Sequence, residues 1–180
     1  MKLMIASDIH GSARYCQLLL EAFQKEKADK LILLGDILYH GPRNDLPDVY
    51  APKTVIEQLN EIKEHILCVR GNCDTEVDQM VLDFPILADY AWIFANDRLV
   101  FATHGHKYGE EQLPPLANGS ILLQGHTHIP RCVEKEGVLC ANPGSVSIPK
   151  ADSPHSYLML TEDALVWKEL NGTVFKQVKL

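Results

Sequence analysis

The chain has 180 residues, of which 46% are hydrophobic and 23% charged, proportions that are typical of globular proteins. They exclude a disordered tail, a fibrous repeat and a small disulfide scaffold, and no apolar run approaches the ~20 residues that cross a bilayer. The net charge of −7 leaves no basic face for long nucleic acid.

The first half of the chain alternates apolar runs with helix-like segments. We predict strands over residues 2–6, 30–34 and 66–69, one helix from a cap at Ser12 to about residue 27, and a second helix starting near Pro52. This β-α-β-α-β order favours a parallel sheet with right-handed crossovers. Asp8 and His10 interrupt the apolar start too early for a signal peptide, so we expect a cytoplasmic protein that contacts no membrane.

The second half is predicted to contain short strands separated by turns. Pairs such as Asn96-Asp97 and Asn171-Gly172 mark the turns. The predicted strands cover residues 87–95, 98–103, 121–124, 130–134, 138–141, 156–160, 164–170 and 174–178. The last four suggest hairpins, and hence a mixed or antiparallel sheet stacked against the first. Because there is no internal repeat and no low-complexity linker, we predict one two-sheet domain over residues 1–180.

Residues 39–51 form the one long irregular segment between these elements. Loops of that length in compact domains are often functional lids, and an inert surface loop is the alternative. Arg43 in this segment and Arg14 before it could meet a substrate phosphate, but we expect both on the solvated surface.

Five polar motifs each follow an apolar run. They are Asp8-Ile9-His10, Gly35-Asp36, Gly71-Asn72, His104-Gly105-His106 and Gly125-His126-Thr127-His128. If the runs pair as one sheet, the motifs meet at the carboxyl ends of its strands, where open α/β sheets bind ligands. Random placement of the 8 histidines would give about 0.35 H-x-H pairs, whereas two are present. The set therefore indicates one shared site.

The side chains of these motifs have the chemistry of a metal site. Carboxylate, amide and imidazole groups suit borderline divalent metals such as manganese, iron, cobalt or zinc. No cysteine has the spacing of a thiolate zinc site, and the 5 cysteines contain no C-x-x-C, which favours reduced thiols. One bridging carboxylate plus the imidazoles would complete two coordination spheres, which predicts two cations roughly 3.5–4 Å apart.

The order D-x-H, G-D, G-N, H and G-H-x-H, spanning roughly residues 1–149, resembles the calcineurin-like metallophosphoesterase family. Gly71-Asn72-Cys73-Asp74 is similar to the form found in its small bacterial phosphodiesterases. The resemblance implies an α/β fold, a two-layer β-sandwich of mixed sheets flanked by helices. It also implies two metal positions, with Asp8, His10 and His128 at the first, Asn72, His104 and His126 at the second, and Asp36 bridging them. Manganese is common in such enzymes, and iron, cobalt, nickel or zinc are alternatives.

The same resemblance implies a phosphodiesterase in which a metal-bridging hydroxide attacks a small phosphate ester, with Asp36 and Asn72 among the catalytic residues. Two divalent ions against the carboxylates of Asp8 and Asp36 leave a local charge of about +2, so an acidic chain can still bind an anion. The alternatives are a phosphomonoesterase and an inactive scaffold for protein binding. A homo-oligomer could form through exposed apolar residues such as Leu46 and Tyr50.

Two departures from the family pattern concern the leaving group and the phosphate. The third motif usually ends in a histidine that protonates the leaving group, and here Cys73 takes that place. Because a thiol is a poor substitute, we expect slow hydrolysis of esters with poor leaving groups unless His106 or His40 donates. His106 could instead only hydrogen-bond a metal ligand. No phosphate-gripping arginine follows the second motif, and Asp74 is expected to pack or cap locally.

Overall fold

Two β-sheets form the framework of the protein, and the computed structural model describes all of residues 1–180. The strands are β1 (Leu3–Ala6), β2 (Lys30–Leu33), β3 (Ile66–Cys68), β4 (Tyr90–Ala95), β5 (Arg98–Thr103), β6 (Ile121–Leu123), β7 (Arg131–Lys135), β8 (Val138–Asn142), β9 (Ser156–Leu160), β10 (Ala164–Glu169) and β11 (Val174–Lys179). The helices are α1 (Ala13–Glu26), α2 (Pro52–Asn60), α3 (Glu76–Gln79) and a 3-10 turn at Lys63–His65. None of the helices combines the length and apolar character that a membrane crossing requires.

The first sheet has six strands in the order β11-β10-β9-β1-β2-β3. Strands β1, β2 and β3 are parallel, as the β-α-β-α-β pattern predicts. The prediction was wrong for the C-terminal hairpin strands, because β9, β10 and β11 extend this sheet antiparallel instead of building the other one. The reason lies in β9, which is buried at all five positions and therefore needs a central place beside β1.

The second sheet has five strands in the order β4-β5-β6-β8-β7. Strands β5, β6 and β8 run parallel, and the antiparallel strands β4 and β7 lie at the two edges. The strands that precede the polar motifs are thus shared between two sheets and not paired in one. The two-layer mixed architecture expected from the family resemblance is confirmed.

Alternating side chains of the first sheet divide the core into two layers. On β1, Leu3 and Ile5 face the second sheet, while Met4 and Ala6 face the helices. Trp167 is fully buried between the sheets and donates from its indole nitrogen to a backbone carbonyl at 2.7 Å. Trp92 on the edge strand β4 is half exposed. The centre of the sandwich is therefore apolar, and the polar motifs lie at its rim.

Helix α1 begins where the sequence predicts and anchors the irregular segment 39–51. Ser12 caps the helix through its hydroxyl, which accepts from the Tyr15 amide at 3.3 Å, and Lys27 ends it in a left-handed conformation. The Ser12 hydroxyl also donates to the Asp48 carbonyl at 2.6 Å. The segment has no strand or helix of its own, yet this attachment holds it beside the ends of β1 and β2.

Candidate metal centre

The carboxyl ends of five strands bring the predicted ligands together. Asp8 and His10 follow β1, Asp36 follows β2 and Asn72 follows β3, while His104 follows β5 and His126 and His128 follow β6. Their donor atoms lie within a few ångströms of one another. The distances are 3.3 Å for His128 Nε2 to Asp8 Oδ1, 3.5 Å for His10 Nε2 to Asp8 Oδ1, 3.7 Å for His10 Nε2 to Asp36 Oδ2, 3.4 Å for His104 Nε2 to Asp36 Oδ2, 3.0 Å for His104 Nε2 to Asn72 Oδ1 and 3.2 Å for His126 Nδ1 to His104 Nε2.

The backbone at these positions is unusual. Asp8, His10, Asp36, His126 and His128 all have φ between 48° and 67°, in the left-handed region that costs a non-glycine residue about 1–2 kcal/mol. Each strand ends abruptly, and the left-handed residue turns the polar side chain back toward its neighbours. Such strain is typical of functional sites, where the surrounding fold supports it.

The orientation of three imidazoles is fixed by the backbone. The Nδ1 atoms lie 2.7 to 2.8 Å from backbone carbonyl oxygens, of Tyr39 for His10, Leu34 for His104 and Ile148 for His128. A carbonyl only accepts, so Nδ1 donates, and in the neutral ring the Nε2 lone pair faces the cluster. The Nε2 atoms of His10 and His128 are only 3.4 Å apart. Two facing lone pairs require a proton or a cation between them.

Two buried carboxylates face these rings. Burial alone would raise the pKa of Asp8, but His10 and His128 hold it well below its usual value. Burial likewise opposes ionisation of Asp36, and the neighbouring His104 lowers its pKa. Burial would lower the pKa of His104, but Asp36 and Asp8 raise it to about 9. The imidazoles and the carboxylates thus stabilise each other's charged forms.

The residues present fit divalent cations. Asp8 Oδ1 is buried and accepts no hydrogen bond, which leaves a lone pair available to a cation. Three donor sets are compact enough for one ion each, since the ligand atoms within each set lie within 4.8 Å of one another: Asp8, His10 and His128; His10, Asp36 and Cys73; and Asp8, Asp36 and His104. A cation bound here would supply positive charge to the two carboxylates and would need the imidazole ligands in their neutral form.

Asp74 holds two of the motif loops together: its contact with Gly71 is local, as expected, whereas its contacts with Asp36 and Ile37 join residues 38 and 37 positions apart. Its carboxylate accepts from the backbone amides of Asp36 at 2.8 Å, Ile37 at 2.9 Å and Gly71 at 2.7 Å. A Cβ at Gly71 would lie 2.1 Å from Asp36 Oδ1, so only glycine fits there. The Asp74 carboxylate, which lies outside both motifs, therefore holds the loops that carry Asp36 and Asn72 together.

Two serines that no sequence motif singles out support the other side of the centre. The hydroxyls of Ser145 and Ser147 both donate to the Asp8 carbonyl, at 2.9 and 3.1 Å, and both residues are buried. They stabilise the left-handed backbone of Asp8. Isolated serines have no diagnostic spacing, so the sequence held no signal for this role.

The three candidate proton donors differ in position. Cys73 is half-buried next to Asn72, and its amide donates to Asp36 Oδ1 at 2.8 Å. Burial, and to a lesser extent the neighbouring Asp36, raise the pKa of the Cys73 thiol to about 12. The ring of His106 lies 5.3 Å from that of His104, and burial first and His104 second lower its pKa. His40 packs between two tyrosine rings. Of the three, only Cys73 lines the cavity described next.

A polar cavity of about 430 Å³ opens beside the donors, and only one of its 11 lining residues is hydrophobic. Its lining includes Asp36, Asn72, Cys73, His126 and His128 from the motifs, together with Gly41, Pro42, Arg43, Asn44, Thr127 and Lys150. Segment 39–51 therefore forms one wall. Arg43, expected on the solvated surface, is exposed but also lines this cavity, whereas Arg14 pairs with Asp48 at the surface.

Known proteins are similar to this chain in sequence and in fold. Residues 1–164 match the family described as the calcineurin-like phosphoesterase superfamily domain. The chain is 50% identical to phosphodiesterase YfcE of Escherichia coli K12, with 100% of this chain and 98% of that protein covered. It is 27% identical to the probable metallophosphoesterase YsnB of Bacillus subtilis, with coverages of 89% and 84%.

A solved structure gives the same result in three dimensions. The structure of E. coli YfcE superposes with a TM-score of 0.96 at 48% identity and covers 99% of this chain and 98% of that one. The likeness thus extends over both sheets and over the strand ends that present the motifs. With the family match over residues 1–164, it confirms the resemblance seen in the motifs: this chain belongs to the calcineurin-like phosphoesterase family.

Proposed function

We propose that this protein is a metal-dependent phosphodiesterase that hydrolyses small phosphate diesters with two divalent cations, most simply manganese. The observation that carries the proposal is the convergence of imidazole lone pairs on two buried carboxylates, in particular the 3.4 Å approach of His10 Nε2 to His128 Nε2. The identity of 50% over full length to a phosphodiesterase supports a diester substrate.

Seven side chains would hold the cations. Asp8, His10 and His128 would bind the first, Asn72, His104 and His126 the second, and Asp36 both. When bound, the two cations neutralise charge that develops on the phosphate oxygens and lower the pKa of water at the site.

The chain's own residues position the substrate. Arg43 and Lys150 line the polar cavity, and their charges favour an anionic phosphate despite the acidic chain. The amide of Cys73 holds Asp36 Oδ1 in place. The Cys73 thiol stays protonated at neutral pH because burial raises its pKa to about 12, and so weak an acid gives little help to a departing alkoxide. We therefore expect esters of acidic alcohols, such as phenols, to react best.

The scaffold alternative would be marked by missing ligands. Here all seven predicted donors are of competent type, and their side chains lie close together. Free cysteines at five positions agree with a reducing compartment, and we propose that the enzyme works in the cytoplasm.

The test compares bis(p-nitrophenyl) phosphate with p-nitrophenyl phosphate, using protein stripped by a chelator and then restored with Mn²⁺, Mg²⁺, Zn²⁺ or Ni²⁺. We expect no hydrolysis after stripping, recovery with Mn²⁺, and faster turnover of the diester. Metal analysis should give about two ions per chain. One ion would favour a single-metal binding module, none would favour a scaffold, and hydrolysis that survives chelation would contradict the proposal.

A further inference from the structure

An apolar groove adjoins the polar cavity. It has a volume of about 400 Å³, and seven of its 10 lining residues are hydrophobic. Tyr39, Tyr50, Val77 and Val81 form its walls, and Cys73 lines both the groove and the polar cavity. The two spaces therefore meet at the side chain that borders Asn72.

The walls of the apolar groove are held in place. On one side, Tyr50 forms an isolated β-bridge with Ser12, at the start of α1. On the other side, Thr75 and Asp78 form a capping box that fixes α3 and presents Val77, which is 69% exposed. The groove is thus built on anchored segments.

Two described cavities share a lining residue with the polar cavity, and of these only the apolar groove is mainly hydrophobic. A second cavity of about 250 Å³ adjoins the polar cavity at Thr127, but none of the 10 residues lining that cavity is hydrophobic. A diester carries two organic groups, and if the phosphate lies between Asp36 and Asn72, one of them would extend past Cys73, which borders both spaces. An apolar ester group that extends from the phosphate in that direction would be removed from water and would contact Tyr39 and Val77.

We propose that the apolar groove binds an aromatic or other apolar ester group of the substrate while its phosphate lies in the polar cavity. This assignment rests on the phosphodiesterase function proposed above and narrows its substrate class. Aromatic rings suit the groove because the rings of Tyr39 and Tyr50 can pack against them. The apolar surface then acts as a specificity determinant, and the cations act on the phosphate alone.

Binding of two phosphonates to the Mn²⁺-loaded protein tests the groove without turnover. In benzylphosphonate a methylene group stands in for the ester oxygen and the ring can reach the groove, whereas methylphosphonate has no such ring. By calorimetry we expect benzylphosphonate to bind about 10-fold more tightly, as partial burial of a phenyl ring predicts. Tyr39→Ala and Val77→Glu should each reduce that preference to about 2-fold or less.

Val174→Glu is the matched control, because Val174 is 50% exposed on the distant strand β11 and should keep the wild-type preference. Equal affinities of the two phosphonates in the wild type, or a preference that survives both groove variants, would overturn the assignment. Failure of both phosphonates to bind would instead count against phosphate binding in the polar cavity, and so against the proposed function and not against the groove alone.

Discussion

The two proposed metal positions differ in their exposure to solvent. The closed end, formed by Asp8, His10 and His128, is buried, with at most 3% of any of these residues exposed. At the open end, Asn72 is exposed and His126 is half-buried, although His104 between them is fully buried. Because water and salt weaken electrostatic attraction at exposed sites, the closed end should bind its cation more tightly.

The two ends also differ in the hydrogen bonds that hold their backbone in place. Ser145 and Ser147 hold the Asp8 backbone from within the core, whereas Asn72 lies on a loop tied down mainly by Asp74. In the proposed dinuclear site the two ends would therefore differ in role. The buried end would hold one ion firmly, and the exposed Asn72 and half-buried His126 would meet substrate in the polar cavity, which His128 also lines.

Asp36→Asn should have the largest effect, because Asp36 is the one carboxylate proposed to serve both ends. We expect kcat/KM on bis(p-nitrophenyl) phosphate to fall about 10³-fold, with metal content falling as well. Asp83→Asn is the control, since Asp83 pairs with Lys63 at the surface. Near-normal activity with two bound ions would show that the ends do not share this carboxylate.

Asn72→Ala should separate the two ends. Loss of this exposed donor should weaken the second cation about 10²-fold and leave one ion bound in a Mn²⁺ titration. His10→Ala should instead weaken the ion at the closed end. If both variants lost the same ion, or both ions together, the distinction between the ends would be wrong.

Cys73→His examines proton donation at the open end. An imidazolium is a stronger acid than a thiol whose pKa is raised to about 12, so hydrolysis of esters with poor leaving groups should rise at least about 10-fold. Hydrolysis of p-nitrophenyl esters should change less, because nitrophenolate leaves without protonation. The measurement is the ratio of kcat/KM for an alkyl diester to that for bis(p-nitrophenyl) phosphate, and equal effects on both would count against this role.

Glu26→Gln should have the smallest effect and leave both ends intact. Glu26 accepts from Lys168 at 2.5 Å, Lys2 at 2.9 Å and Tyr157 at 3.0 Å. Burial opposes its ionisation, but Lys168 and Lys2 hold its pKa below the ordinary 4.5. A lowered folded-state pKa means that the carboxylate stabilises the fold above about pH 4.5 and that this stabilisation is lost as pH falls through the folded value.

The free energy of unfolding of Glu26→Gln should therefore fall by about 1 kcal/mol at about pH 7, and the difference from wild type should shrink toward about pH 3. Denaturant titrations at several pH values measure both quantities. Glu57→Gln is the matched control, because Glu57 is exposed on α2. A deficit that does not change with pH would indicate lost packing instead of lost charge.

The candidate ligands could be picked out because each lies shortly after a strand, and strand ends can be recognised in a sequence. Their role as ligands stays a prediction. The pairing of the strands was harder to predict, because the apolar run of β9 is compatible with either sheet. In the structure β9 pairs with the side of β1 that β2 leaves free. The assignment of residues 1–180 to one domain stays a prediction.

Other features depended on tertiary contacts that leave no local pattern. Helix α3 has only four residues, too short for a periodic signal. Arg43 and Tyr39 reach the site only because segment 39–51 is tied to the start of α1. Ser145 and Ser147 act on a backbone carbonyl more than 130 positions away in the chain.

The left-handed backbone at Asp8, His10, Asp36, His126 and His128 restricts which replacements an experimenter can make. Each of these residues would have to serve as a metal ligand and also adopt a left-handed backbone conformation. Asparagine or aspartate can adopt that conformation, whereas β-branched residues resist it. Efforts to retune the metal preference by ligand exchange should therefore begin with the few residues that satisfy both demands.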